Sequence, residues 1–477
     1  MRSSFVFSFS VAALLLSVFF SGQANAAKKP RAATAVVSAE DPADKLEKQF
    51  QQFSAEFYVQ YIQHEVIPPY NALDQLNARV KGYIKNKTPI PAVANILNNY
   101  SLVAKNPNNP IIVDFIAILL DQNEWQTANK LYTLVKEEAD KNLIANVSYF
   151  FAKYHFARNK WQLTLDILEG VANDLPPDRN HHALIMQGIS LQRLKDHRTS
   201  LSYYEKIPSS SKYYTVARLN MAIAYIRQDW WTDAHTILEG LVKNPKVLSH
   251  EETVDRLYTV LGYSFLRLQY YRNSRDAFRS VGLNSHYTNR ALLGIALTAA
   301  NQEDYIGALN AVRVLKEKST IELPVEEAHL LTPFFYEKLK QHATATTGYN
   351  EAINFYEQRI QEINRLIGLD TSTYKTVVSF DAQQKLFIDK FAVDISAKAP
   401  ESFTNNYQLL VAFRPFVDKF AASRLTQEYH QTETTYATAL QKFVHTVLNE
   451  RIEHLTSYMN QSRYGIARLY DNKESAN

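Results

Sequence analysis

Cysteine is absent from all 477 residues, which excludes disulfides, thiolate metal sites, cysteine nucleophiles and an N-terminal lipid attached through sulfur. Glycine is scarce at 12 residues, about a third of ordinary usage. So few glycines leave little room for tight strand turns, and no GxxxxGK phosphate loop occurs. Charge of one sign is also lacking. The 52 Lys and Arg stand against 48 Asp and Glu, and no dense basic run marks a nucleic-acid footprint. The 13 histidines form no HExxH, and the adjacent His181 and His182 would point about 100° apart on a helix. That pair reads as a helix start after Pro176-Pro177. No cofactor, metal or nucleic-acid partner is expected.

Long apolar runs are missing too, apart from one at the beginning. Arg2 precedes an apolar stretch from Phe5 to Phe20, and Ala24-Asn25-Ala26 follows as a small-x-small cleavage site. The segment is short for a full span, so it reads as a cleaved export signal with a mature start near Ala27. With no cysteine to lipidate, the expected location is the periplasm, without an integral membrane span after cleavage.

What is present is helix-forming and aromatic, with 29 Tyr and 25 Phe. After a flexible linker at 27–42, an N-terminal helical region at 43–107 is expected, opening with Asp44 to His64. There Leu46, Phe50, Phe53, Phe57 and Tyr61 recur at helical spacing. Further helices are expected at Asn71 to Ile84 and Ala92 to Ala104.

From 108 to 358 a period takes over. Small or helix-compatible anchors stand at Ala128, Thr164, Ser200, Ala234, Ser274, Ala308 and Ala345, separated by 36, 36, 34, 40, 34 and 37 residues. Twelve residues before them come Ile116, Ala152, Gly188, Ala222, Gly262, Ala296 and Pro333. Four residues after them come Tyr132, Leu168, Tyr204, Leu238, Phe278, Val312 and Tyr349. The earlier position falls where a first helix meets its partner closely, and the later ones lie one turn apart on the second helix. Three residues before each anchor stands a ring: Trp125, Trp161, His197, Trp231, Tyr271, Tyr305 or His342. The strings WQLTLDILEG and WTDAHTILEG repeat one of these segments, with Gly170 and Gly240 as expected helix ends.

This spacing resembles the tetratricopeptide repeat over roughly half the chain. The resemblance implies an all-α, right-handed superhelical solenoid of about seven helical hairpins, flanked by non-repeat helical regions. It also implies that first helices line a concave groove. On this chain the groove would present Asn220, Arg227, Arg256, Tyr263, Arg267 and Arg290, whose guanidinium groups suit a partner's carboxylates. The Lys/Asn/Lys/Arg pattern of carboxylate-clamping members does not recur intact.

In the C-terminal helical region at 359–477, Thr371 to Phe380 reads as a loop with a short extended piece, and Ala382 to Ser396 and Asn405 to Ser423 read as helices. From Thr435 to Leu469, Leu440, Val444, Val447, Ile452, Leu455, Met459 and Ile466 give an apolar stripe that must pack within the chain or drive homo-oligomerisation. Catalytic signals are weak. Gly262-Tyr263-Ser264 lacks the second glycine of a nucleophile elbow. Glu401-Ser402 resembles the catalytic Glu of lytic transglycosylases and the Ser that follows it, without the glycine-rich segment that comes next there. The expected function is a non-enzymatic adaptor of the bacterial cell envelope that holds one or more proteins, the alternatives being a peptidoglycan-acting enzyme or its activator, and a periplasmic chaperone.

Overall fold

The computed structural model describes residues 42–243, 251–318, 322–380, 386–389, 391–420 and 423–474. The expected export signal at 1–26 and nearly all of the linker lie outside the described residues. Four helices come first: α1 (Pro42–His64), α2 (Leu73–Lys85), α3 (Pro89–Asn98) and α4 (Tyr100–Ala104). The single helix expected at 92–104 is interrupted at Asn99, whose side chain accepts the Tyr70 N–H at 2.8 Å and donates to the Asn95 carbonyl at 2.9 Å.

Seven hairpins follow. Their first and second helices are α5 (Ile111–Asp121) and α6 (Trp125–Glu138), α7 (Lys141–Phe156) and α8 (Trp161–Glu169), α9 (Pro177–Arg193) and α10 (His197–Glu205). They continue as α11 (Tyr214–Arg227) and α12 (Trp231–Val242), α13 (Glu251–Arg267) and α14 (Tyr271–Arg279), α15 (Thr288–Asn301) and α16 (Tyr305–Lys316), α17 (Leu323–Lys338) and α18 (His342–Ile367). This is a predominantly helical architecture of paired hairpins like that of tetratricopeptide proteins. Each second helix begins at the ring-bearing residue of the period, and all seven anchors are 0% exposed.

The turns explain how hairpins form with so little glycine. Five residues before each anchor stand Asn123, Asn159, Lys195, Asp229, Gln269, Glu303 and Lys340, all left-handed with φ between 58° and 71°. The next N–H reaches back five residues, as Tyr270 does to the Phe265 carbonyl and Asp304 to the Ala299 carbonyl, both at 2.9 Å. This is a Schellman closure of the first helix, made without its usual glycine. Gly240, expected to end a helix, instead lies inside α12, while Gly170 does cap α8.

The small positions have a steric cause. A Cβ on Gly262 would stand 2.6 Å from the ring of Phe278, four residues past the anchor of its own hairpin, and Gly294 of α15 lies against the same ring. One ring therefore sits between consecutive first helices. The anchor Ser274 donates its hydroxyl to the Gly262 carbonyl and shares a second hydrogen bond with the Thr298 hydroxyl, both at 2.9 Å.

The chain forms two compact units, each containing part of the C-terminal region. In the first (42–214 with 396–440 among described residues), helix α20 (Glu401–Phe420) and the start of α21 (Ser423–Glu474) meet α1. Phe57 stacks on Phe413 at 4.2 Å, and His64 on Phe420 at 4.8 Å. A polar knot lies beside these rings. Arg158 pairs with Glu47 at 2.6 Å, and Asn406 donates to Glu47 at 2.8 Å and to the Tyr436 hydroxyl at 3.1 Å. Asn123 closes it by donating to Asn406 at 3.0 Å.

The second unit (215–395 with 441–474 among described residues) is built on α11–α18 and the remainder of α21. Gly465 of α21 lies against the ring of Tyr349, as Gly294 lies against Phe278. The helix thus occupies the place of a first helix following α18. Arg468 grips Glu337 through two nitrogens at 2.8 and 2.6 Å, Arg463 meets Glu357 at 3.1 Å, and Leu469 packs on Ala345 and Tyr349. The terminal helix accordingly packs inside its own chain. It also starts earlier than the apolar stripe suggested, because Leu425, Tyr429 and Tyr436 continue its buried face.

Between α18 and α20 the structure departs from the expected loop and helix. Helix α19 (Thr371–Val377) leads into an antiparallel sheet of β1 (Val378–Phe380), β2 (Leu386–Ile388) and β3 (Phe391–Val393). Leu386, Ile388, Val393 and Ile395 are buried at alternate positions, a period of two that a helical reading of this segment overlooks. Asp389, at φ 55°, makes the turn.

Two stability outcomes follow from the turns and the close approach. Gln269→Gly should raise stability by about 1 kcal/mol, because the left-handed penalty disappears. Gly262→Ala should lower it by about 1–3 kcal/mol through overpacking. Urea denaturation followed by circular dichroism checks both.

Candidate functional site

The residues that could face a partner lie on first helices of the second unit. There α13 packs against α15 and α15 against α17, giving a continuous layer of first helices. Arg256 and Arg290 hold the same register position on the two neighbours α13 and α15, and both are half-buried. Arg267 is exposed at the end of α13, with its guanidinium 5.9 Å from the ring centroid of Trp231. Asn220 is half-buried on α11 and donates to the Val216 carbonyl at 2.9 Å, and Arg227 is half-buried at the end of α11.

Tyr263 does not belong with them. It is fully buried, its ring packs edge-on against Phe278 at 4.8 Å, and its hydroxyl donates to the Arg290 carbonyl at 2.8 Å. Burial holds its hydroxyl well above the ordinary tyrosine range, with Glu327 adding to the effect and Arg290 opposing it. The expectation that Tyr263 lines the groove is therefore corrected. Helical spacing places it on the side of α13 that α15 covers, where it clamps the two helices together.

The acid next to Arg256 has other work. Asp255 accepts the Gly282 N–H at 2.9 Å, fixing the loop between α14 and α15. Among the described residues Arg256, Arg267 and Arg290 form no ion pair. Three guanidinium groups on the first helices of this layer therefore have no carboxylate partner among the described residues.

Two buried carboxyls escaped the sequence reading. Glu326 and Glu327 begin α17 and are 1% and 3% exposed. Glu326 meets Arg451 at 2.8 Å; burial raises its pKa, and Arg451 and Arg359 oppose that rise. Glu327 is pushed up to about 8 by burial, with a hydrogen bond from Tyr458 acting the other way. Two adjacent acids beside Val325, Ala328, Leu330 and Leu331 were the available signal. Ser264, the candidate nucleophile, is buried within α13. Glu401, the candidate acid, is exposed at the start of α20, where the Ser402 N–H donates to the Ala157 carbonyl at 3.1 Å. His182 shares a hydrogen bond of 2.8 Å with the Tyr149 hydroxyl. Among the described residues no group of three or more His, Asp or Glu could hold a metal ion, and no helix is long and apolar enough to cross a membrane.

No family model and no curated protein matches the sequence. Solved structures are similar at the level of helical repeats. The apo quorum sensor NprR from B. thuringiensis is 14% identical with a TM-score of 0.37, over 73% of this chain and 97% of that one. The apo form of RapI is 12% identical with a TM-score of 0.43, over 84% and 99%. NprR in complex with its cognate peptide NprX is 14% identical with a TM-score of 0.31, over 52% and 78%. These findings correct the expected periplasmic location, since the similar structures are those of the quorum sensor NprR and of RapI rather than of periplasmic proteins.

The buried acids give a pH dependence with a defined sign. An unfolded glutamate titrates near 4.5, whereas folded Glu327 titrates at about 8, so the folded state keeps a proton that the unfolded state has lost. Its contribution is complete below about 4.5 and disappears as pH rises through about 8. Glu124, raised to about 7 by burial in the first unit, acts with the same sign. The thermal midpoint should therefore fall between about pH 5 and 8.5, and Glu327→Gln should flatten part of that fall in a calorimetric series.

Proposed function

We propose that the chain is a non-enzymatic binding scaffold that holds an extended, carboxylate-bearing segment of a partner protein across the first helices of its second unit. The observation that carries this reading is the set Arg256, Arg267 and Arg290, side chains on α13 and α15 with no carboxylate of their own among the described residues. A guanidinium group presents a planar fork that pairs with a carboxylate through two hydrogen bonds, and a layer of parallel first helices can offer such forks at regular intervals. Tyr263 supports the reading from beneath. Its hydroxyl ties α13 to α15 through the backbone of Arg290 and so fixes the spacing between Arg256 and Arg290.

The test is fluorescence anisotropy with a labelled dodecapeptide of alternating Asp and Ser. The wild-type chain should bind it with an affinity that falls as salt rises. Arg256→Glu with Arg290→Glu should weaken binding by at least about tenfold while leaving the thermal midpoint unchanged. Undiminished binding by that double variant would sink the proposal.

A further inference from the structure

Two consecutive turns of the second unit place a solvent-exposed ring at the residue before the second helix. The residue before each second helix is its N-cap, where Asp, Asn, Ser or Thr is favoured because a side-chain oxygen can accept a free N–H of the first turn. Asp304 does this in the hairpin of α15 and α16, accepting the Gly307 N–H at 2.8 Å. In the two preceding hairpins the same position is Trp230 and Tyr270, and neither cap makes a side-chain hydrogen bond. Both rings are turned to solvent, Trp230 at 46% exposure and Tyr270 at 57%. Each is steadied on one side only, Trp230 by Tyr225 at 5.9 Å and Tyr270 by Phe265 at 6.4 Å between ring centroids.

These two turns abut. The Arg267 guanidinium, which leaves α13 just before Tyr270, lies over the Trp231 ring of the previous hairpin, and His235 of α12 packs on Phe265 of α13 at 4.3 Å. Arg267 thus links the two turns on which Trp230 and Tyr270 are exposed. The charges along this turn edge are mixed in number but unequal in availability. Asp229 is engaged by the Trp231 indole N–H, Asp233 is exposed, and the guanidinium of Arg267 has no carboxylate among the described residues. Exposed Trp, Tyr and Arg are the residue types that carry most binding energy at protein interfaces.

We infer that this turn edge is a docking surface for an extended acidic segment of a partner protein that also carries apolar side chains. Its carboxylate would meet Arg267 while the apolar groups cover Trp230 and Tyr270. The inference rests on the peptide-binding reading above and extends it from the helix layer to the turn edge.

The test is selection of random dodecapeptides, displayed on phage, by the full chain, followed by anisotropy with the enriched peptides. Peptides combining Asp or Glu with Leu, Pro or an aromatic residue should be enriched. Trp230→Ser with Tyr270→Ser should weaken them by at least about tenfold. The same double variant should keep or raise the thermal midpoint, because serine is a better cap than either ring. Trp230→Phe, which retains a flat apolar surface, should restore most of the binding. If the peptides bind the double serine variant undiminished but fail on Arg256→Glu with Arg290→Glu, the turn-edge surface is wrong and the helix-layer reading stands. Enrichment of basic or uncharged peptides overturns the acidic partner. Enrichment of no peptide overturns both readings, and a lowered midpoint in the serine variant assigns the rings to stability instead.

Discussion

The structure depends on one steric bargain between helices. A ring or branched side chain on each second helix needs a shallow place on the first helices beside it, and the residue twelve before the anchor, Gly or Ala in five of the seven hairpins, supplies one. Phe278 shows the consequence most clearly, because its ring touches Gly262 of its own hairpin and Gly294 of the next. A residue that serves two hairpins at once fixes their separation as well as their stability. The hydroxyl groups of Ser274 and Tyr263 then tie the same helices together by hydrogen bonds, so the spacing of the arginine-bearing helices follows from packing beneath them.

An array built this way always has an unfinished last member, since the final ring needs a first helix that the next hairpin would have provided. Here α21 provides it, with Gly465 against Tyr349 and Arg468 gripping Glu337. The first unit is completed by the same region of sequence, where α20 and the beginning of α21 cover the rings of α1. The C-terminal region is therefore part of the packing of the hairpins and not an appendage to them.

The hairpin array was legible because its signal is steric and recurs seven times. Anchors such as Ala234 and Ala308 announce close packing whatever surrounds them. The turns were not legible in the same way. Left-handed residues are normally betrayed by glycine, and Gln269, Glu303 and Lys340 carry no such mark. Tyr263 was misplaced because a position on a helix face says nothing about whether a neighbouring helix covers it. The strands at 386–393 were read as helix because three-residue strands contain too few alternations to compete with helical spacing. Of the proposed arginine surface, the residue types were visible. What sequence could not supply was that Asp255, next to Arg256, is committed to the Gly282 backbone.

The shared helix α21 also has a consequence for biosynthesis. Residues 396–474 leave the ribosome after every hairpin has emerged, yet both units need them to cover their rings. Until then Phe57 lacks Phe413, and Tyr349 lacks Gly465. A chain cut short before residue 396 would lack Phe413 beside Phe57 in one unit and Gly465 beside Tyr349 in the other, so both cores would be left incompletely covered.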